Sequence, residues 1–186
     1  MEKELKDAAD CYGRGDYRAA YERYRLLAEA GHAESQVFVG WMLFNGIGTE
    51  HSHEGASYWF QRAASLGSPR GAFYYGRFLT SQGEHVDALE WYRIAANKHD
   101  TPALFRLGYS LARGKGAAID LDAGYRYLIA ASKNGHVFAI REIAIQDAKG
   151  GRGMVRRMIS PFVYAYAVSL GLLLALRDRF SERLLA

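Results

Sequence analysis

His51 and His53 stand two residues apart between Glu50 and Glu54, and these four residue types could hold a transition metal. Their spacing argues against it. Two histidines at i and i+2 in a loop need a second convergent pair, and His32, His85, His99 and His136 are scattered singly along the chain. They are expected to be exposed turn residues, with no metal bound. Cys11 is the only cysteine, which excludes an intrachain disulfide and a cysteine-based zinc site and leaves a half-buried structural thiol as its reading. The Gly-x-Gly turns at Gly46–Gly48 and Gly114–Gly116 close helical runs instead of opening them, so they lack the helix N-terminus that would hold a phosphate. No nucleophile and base recur at a usable spacing. The expectation is a non-enzymatic protein with no cofactor and no small-molecule substrate.

Charge excludes a further class. The chain has a net charge of +4, but residues 1–148 carry 17 Lys/Arg against 18 Asp/Glu, and residues 149–186 carry 7 against 2. The basic excess lies in the last segment and not on a folded body, so no nucleic-acid partner is expected. The first residues, MEKELKDAADCYGRGD, are charged and contain no apolar leader, which together with the single cysteine points to a reducing, cytoplasmic setting for the folded body.

Positioning falls to helices, and the glycines show how they are arranged. Gly31, Gly67 and Gly135 each close an apolar helical run, with His99 at the same place in the third copy. Nine residues later come Gly40, Gly76, Gly108 and Ala144, small enough to let two helices approach closely. Six residues further, Gly46, Gly114 and Gly150 end the first helix of their copies, and Gly13 does so in a degenerate opening copy. In the second helices Ala56, Trp59 and Ala63 are matched by Ala88, Trp91 and Ala95, and by Gly124, Tyr127 and Ala131; the spacing puts them on one helix face. Asp16, Ser52 and Asp120 precede these helices as N-caps. A period of 30 to 40 residues signals stacked helical hairpins.

The segments AESQVFVGWMLFNGIG with ASYWFQRAASLG, and ALFRLGYSLARGKG with YLIAASKNG, resemble the Sel-one-like repeat, a relative of the tetratricopeptide repeat. The resemblance covers residues 1 to about 150; Asp7 replaces the first-helix glycine in the opening copy, and SQGEH replaces the Gly-x-Gly turn in the third. It implies an all-α, right-handed α-solenoid of about four to five hairpins over residues 1–150. It also implies protein–protein contact, often as a scaffold in membrane-associated or envelope assemblies such as those of exopolysaccharide biosynthesis. If the first helices line the concave surface, as in tetratricopeptide relatives, the partner-binding groove contains Trp41, Phe44, Arg70, Phe73, Arg77, Phe105, Tyr109, Arg113, Phe138 and Arg141. Aromatic and arginine side chains dominate protein-interface hot spots, and such a groove suits a segment bearing apolar and acidic side chains.

Residues 151–186 form a separate C-terminal segment. Within it, Met158 to Leu176 is a run of 19 uncharged residues, which as a helix would reach roughly 28 Å against a hydrocarbon core of about 30 Å. Ile159, Phe162, Val163, Leu170, Leu173 and Leu174 are its membrane- or partner-facing candidates. Lys149, Arg152, Arg156 and Arg157 precede it and three arginines come after it, which places the repeats on the cytoplasmic side of a membrane by the positive-inside rule. The opposing reading is a last repeat hairpin, because Gly171 comes after Gly150 at the 21-residue interval that separates Gly46 from Gly67, and AVSLG echoes AASLG. A capping helix should be polar outside, and this run has no charge on any face, which favours insertion into a bilayer over a cap. The expected function is thus a scaffold of a membrane-associated assembly, with no chemistry of its own. The alternative is a soluble adaptor whose apolar C-terminal helix docks on a partner or on a second copy.

Overall fold

The computed structural model describes residues 1–148 and 161–170. All regular structure among the described residues is helical: α1 (Glu2–Gly13), α2 (Tyr17–Glu29), α3 (Ala33–Asn45), α4 (His53–Ser65), α5 (Pro69–Ser81), α6 (His85–Asn97), α7 (Thr101–Arg113), α8 (Leu121–Lys133), α9 (Val137–Ala148) and α10 (161–170). Contacts divide the chain into two compact units, Met1–Lys98 and His99–Ala186. The sequence-based boundary near residue 150 falls outside the described residues.

In the first unit α1 pairs with α2, α3 with α4 and α5 with α6, and each hairpin packs on the next in chain order; α3 also touches α5 directly. In the second unit α7 pairs with α8, α8 packs on α9, and α7 meets α9. First helices therefore neighbour first helices, as an α-solenoid requires.

The same local chemistry builds each junction. Gly31, Gly67 and Gly135 take φ of 92°, 82° and 82°, and His99 takes φ 60° in their place. A left-handed residue here turns the chain sharply, and the next amide reaches back: His32 N–H to Leu27 O at 3.0 Å, Ser68 N–H to Ala63 O at 3.1 Å, His136 N–H to Ala131 O at 3.1 Å. The residue after the turn also caps the next helix. His32 Nδ1 accepts from Ser35 N–H, Ser68 Oγ from Gly71 N–H, Asp100 Oδ1 from Ala103 N–H and His136 Nδ1 from Ala139 N–H. Each cap of this kind contributes about 1 kcal/mol. Asp16, Ser52 and Asp120 cap α2, α4 and α8 as their positions predict, whereas the two histidine caps are not legible from residue type.

Within hairpins the small residues set the helix–helix distance. A Cβ added at Gly108 would lie 2.8 Å from Gly124 O and 2.9 Å from Leu128 N, so α7 and α8 meet backbone to backbone. At Gly40 the neighbour is the Phe60 ring, 2.7 Å from such a Cβ. Large side chains and alanines then interdigitate: Tyr24, Val39, Met42, Trp59 and Phe60 with Ala8, Ala20, Ala28 and Ala56 form the core of the first two hairpins. Gln36, fully buried, donates from Nε2 to Ala28 O at 2.9 Å and ties α3 to α2.

Candidate partner-binding faces

The two units present first-helix faces of different chemistry. In the first unit Tyr12, Phe38 and Trp41 form a contiguous aromatic group, with Tyr12–Phe38 ring centroids 5.1 Å apart and Phe38–Trp41 5.6 Å. Phe44 meets His53 at 5.4 Å, His53 meets His51 at 4.4 Å and Phe78 at 6.2 Å, and Phe78 stacks on Tyr75 at 6.2 Å. The two histidines thus act as aromatic neighbours around the turn after α3. Among the described residues no three His, Cys, Asp or Glu side chains converge as metal ligands would. Cys11 is buried in the core, its sulfur 3.4 Å from Arg14 Nη2.

Of the residues expected to line the groove in this unit, Trp41, Phe44 and Arg77 are half-buried and Arg70 is exposed in the first turn of α5. Phe73 is 2% exposed and packs on Tyr92 at 6.0 Å, so its side chain belongs to the core and its place on the face is taken by Tyr74 and Phe78. Arg77 lies over the rings of Phe73 and Tyr74 at 5.9 and 5.6 Å.

The second unit brings its five expected residues together. Phe105 is the hub, with Tyr109 at 5.9 Å and Phe138 at 6.5 Å. Arg113 lies 5.3 Å over Tyr109 and Arg141 5.3 Å over Phe138. Three further residues were not legible in the spacing. Arg106 lies 5.9 Å over Phe105, Lys115 Nζ lies 5.6 Å over Tyr109, and the His136 ring stacks on Phe105 at 4.4 Å. Arg106 is three residues before Tyr109 and seven before Arg113, a helical interval that could have placed it on the same stripe.

Electrostatics distinguish these side chains. Arg113 donates to Glu142 Oε1 from Nε at 3.1 Å and Nη2 at 2.8 Å, and Gln146 Nε2 donates to the same oxygen at 3.0 Å. The buried Glu142 carboxylate is therefore engaged from two sides, and hydrogen bonding to it raises the Arg113 pKa. Burial, aided by the Arg106 charge, pushes the His136 pKa down to about 4. Its Nδ1 accepts the helix cap, which puts the ring proton on Nε2. The Nε atoms of Arg106 and Arg141 and the Nε2 of His136 have no hydrogen-bond partner among the described residues.

In α10, Phe162 and Tyr166 are strongly exposed, Tyr164 and Val168 less so, and Ala167 is buried; Val163 and Leu170 are half-buried. Ile159, Leu173 and Leu174 lie outside the described residues. No helix among the described residues is long and apolar enough to cross a membrane.

Stacked helical hairpins with small residues at each crossing define a solenoid repeat protein. The Sel1 repeat profile matches residues 33–68, 71–100 and 101–136, more than half of the chain, and the protein belongs to the Sel1 repeat family. The chain superposes on a Sel1 repeat protein from Oxalobacter formigenes with a TM-score of 0.79 at 20% identity, covering 90% of this chain and 68% of that one. It is similar to c5321, a protective antigen of uropathogenic Escherichia coli with an SLR fold, with a TM-score of 0.76 at 20% identity over 97% of this chain and 42% of that one. In sequence it is 26% identical over 138 residues to HRD3B of Arabidopsis thaliana, an ERAD-associated E3 ubiquitin-protein ligase component; the match takes in 64% of this chain and 22% of the relative's length. Sel1 repeat proteins generally mediate protein–protein interaction and are typically non-catalytic.

Proposed function

We propose that this chain is a non-catalytic scaffold whose first-helix faces bind a protein partner. The carrying observation is the concentration of aromatic rings on those helices, the half-buried Trp41 and Phe44 with Arg77 over Tyr74 in one unit, and in the other the half-buried Tyr109 and Phe138 around the buried Phe105, with arginines over all three. Such side chains offer large rigid contact area with directional bonds and carry most of the binding energy in protein interfaces. The faces of α2 and α6 instead show isolated charge pairs, Arg25 with Glu22 and Glu29, and Arg93 with Glu90, which solvate a surface.

The assembly we propose is a membrane-associated one. The uncharged run of residues 158–176 and the exposed Phe162 and Tyr166 of α10 support this reading, since a tyrosine favours the bilayer interface and a phenylalanine its apolar interior. The alternative is an adaptor whose C-terminal helix docks on a partner protein. It is supported by Ala167, which is buried, and by Val163, half-buried four residues before it, since one side of α10 is then already packed on protein. Neither the fold nor the relatives point to exopolysaccharide biosynthesis.

Two measurements test this function. A photo-crosslinking residue placed at Trp41 or Tyr109 should capture the partner in cells, and one placed at Leu26 or Ile94 should not; capture only from the latter pair would refute the face. Flotation of the full chain with liposomes should carry it to the top of the gradient; recovery wholly at the bottom would favour the docked helix.

A further inference from the structure

We infer that the α7–α9 face of the second unit docks an acidic segment of a partner protein, with Arg106 and Arg141 receiving its carboxylates. This deepens the proposed protein-binding role and rests on it. The first observation is the continuity of the site. Arg141, Phe138, Phe105 and Tyr109 succeed one another across α9 and α7, with Arg106 beside Phe105, and Arg113 and Lys115 at Tyr109. Four cations border these three rings.

The second observation is the distribution of charge. Among the described residues Glu142 is the carboxylate bound to a cation of this face, where Arg113 and Gln146 occupy it. Asp100 and Asp120 are engaged as helix caps, and Asp147 accepts from Tyr125 Oη on the side facing α8. The Nε–H groups of Arg106 and Arg141 are closed off from solvent and meet no acceptor among the described residues, while both residues are half-buried, so it is the Nη ends of their guanidinium groups that an incoming carboxylate would meet. An arginine lying over a ring turns its apolar face to the aromatic and keeps the edge of its guanidinium for a planar acceptor, which a carboxylate matches with two parallel hydrogen bonds. The rings partly exclude water and would strengthen each such pair.

A peptide fits better than a nucleic acid. Phe105 is 8% exposed and covered by His136, so its flat surface is not open for a base to stack on, whereas Tyr109 and Phe138 are half-buried and leave edges for aliphatic side chains. The segment that suits the face alternates Asp or Glu with apolar residues.

The test uses the full chain and a short fluorescein-labelled peptide in which Glu alternates with Leu, alongside its Gln-for-Glu counterpart and a single-stranded oligonucleotide, read by anisotropy. The Glu peptide should bind at least about tenfold tighter than the Gln peptide and weaken steeply with salt. R106Q/R141Q should lose about tenfold, whereas R126Q/K133Q, which removes two exposed cations of α8, should stay within about twofold. Equal losses in both double variants would mean diffuse attraction and overturn the inference, as would an oligonucleotide bound as tightly as the Glu peptide. Hydrogen exchange of the unsubstituted chain gives an answer that does not depend on the variants folding: the Glu peptide should protect α7 and α9, and protection confined to α8 would overturn the inference. If the Gln peptide binds equally well and protects α7 and α9, the acidic specificity fails while the protein-binding face stands. If protection and cross-links both map to second helices, the proposed function fails too.

Discussion

Both units turn rings toward their first-helix faces, the first with one arginine, Arg77, over Tyr74 and the second with a cation on each ring around Phe105. Around Trp41, Phe44 and Phe78 the contacts are aromatic on aromatic, and the histidines there pack as two more rings. Around Phe105 every ring is topped by a charged or titratable group, and a buried carboxylate holds one of the arginines. One repeat geometry thus supports two chemistries, because the glycine and alanine register fixes where the helices cross and leaves the outward positions of the first helices unconstrained. The second unit should therefore respond to pH and to charge substitution more strongly than the first.

The largest expected effect is acid sensitivity. His136 is held neutral, with its pKa near 4, while an unfolded histidine titrates near 6.5. The unfolded chain therefore takes up the proton first as pH falls, and stability that is whole above pH 6.5 is lost down to about pH 4, by about 3 kcal/mol at most. Urea titrations across that range should show the second unit weakening, and H136N, which keeps a capping acceptor without a titrating ring, should flatten the dependence. An unchanged slope in H136N would assign the acid sensitivity elsewhere.

Next comes the helix crossing. G108A forces a methyl against the backbone of α8 and should destabilise by about 2 to 3 kcal/mol, whereas G40A meets first the buried Phe60 ring, with the nearest backbone atom, Ala56 O, farther off at 3.2 Å, and should lose about 1 to 2 kcal/mol. Equal thermal shifts would remove this distinction between the units. R113Q leaves the buried Glu142 with Gln146 as its remaining side-chain donor; because Arg113 is about one-third exposed, the expected loss is about 1 to 2 kcal/mol, smaller than for a fully buried pair. The smallest effect has the opposite sign. His99 carries φ 60° where the other copies use glycine, and H99G should stabilise by about 1 kcal/mol, read as a rise in melting temperature.

The hairpins were legible because glycine spacing reports directly on backbone constraints: Gly46 and Gly114 do end α3 and α7 in the left-handed conformation, and Gly40, Gly76 and Gly108 do sit at helix crossings. The faces were less so. Residue type and register placed Tyr109, Arg113, Phe138 and Arg141 on neighbouring helices, but Phe73 stands three residues before the first-helix glycine, a position that is buried in all three glycine-bearing copies, at Val37, Phe73 and Phe105. Arg106 shares the stripe of Tyr109 and Arg113 by interval, but its place over the Phe105 ring, like the burial of His136 against that ring, depends on packing that has no spacing of its own.

The residue after the last of these junction turns also ties a helix start to acidity. The first helices α3, α5, α7 and α9 begin on His32, Ser68, Asp100 and His136 in turn. A hydroxyl or a carboxylate goes on accepting through mild acid, but an imidazole that gains a proton has no lone pair left at Nδ1. The start of α9 therefore carries a latch that opens as His136 takes a proton near pH 4, whereas the Ser68 hydroxyl that caps α5 does not titrate there. Acidification toward pH 4 would loosen the start of α9 while that of α5 stays closed, which amide exchange at Ala139 would register ahead of Gly71.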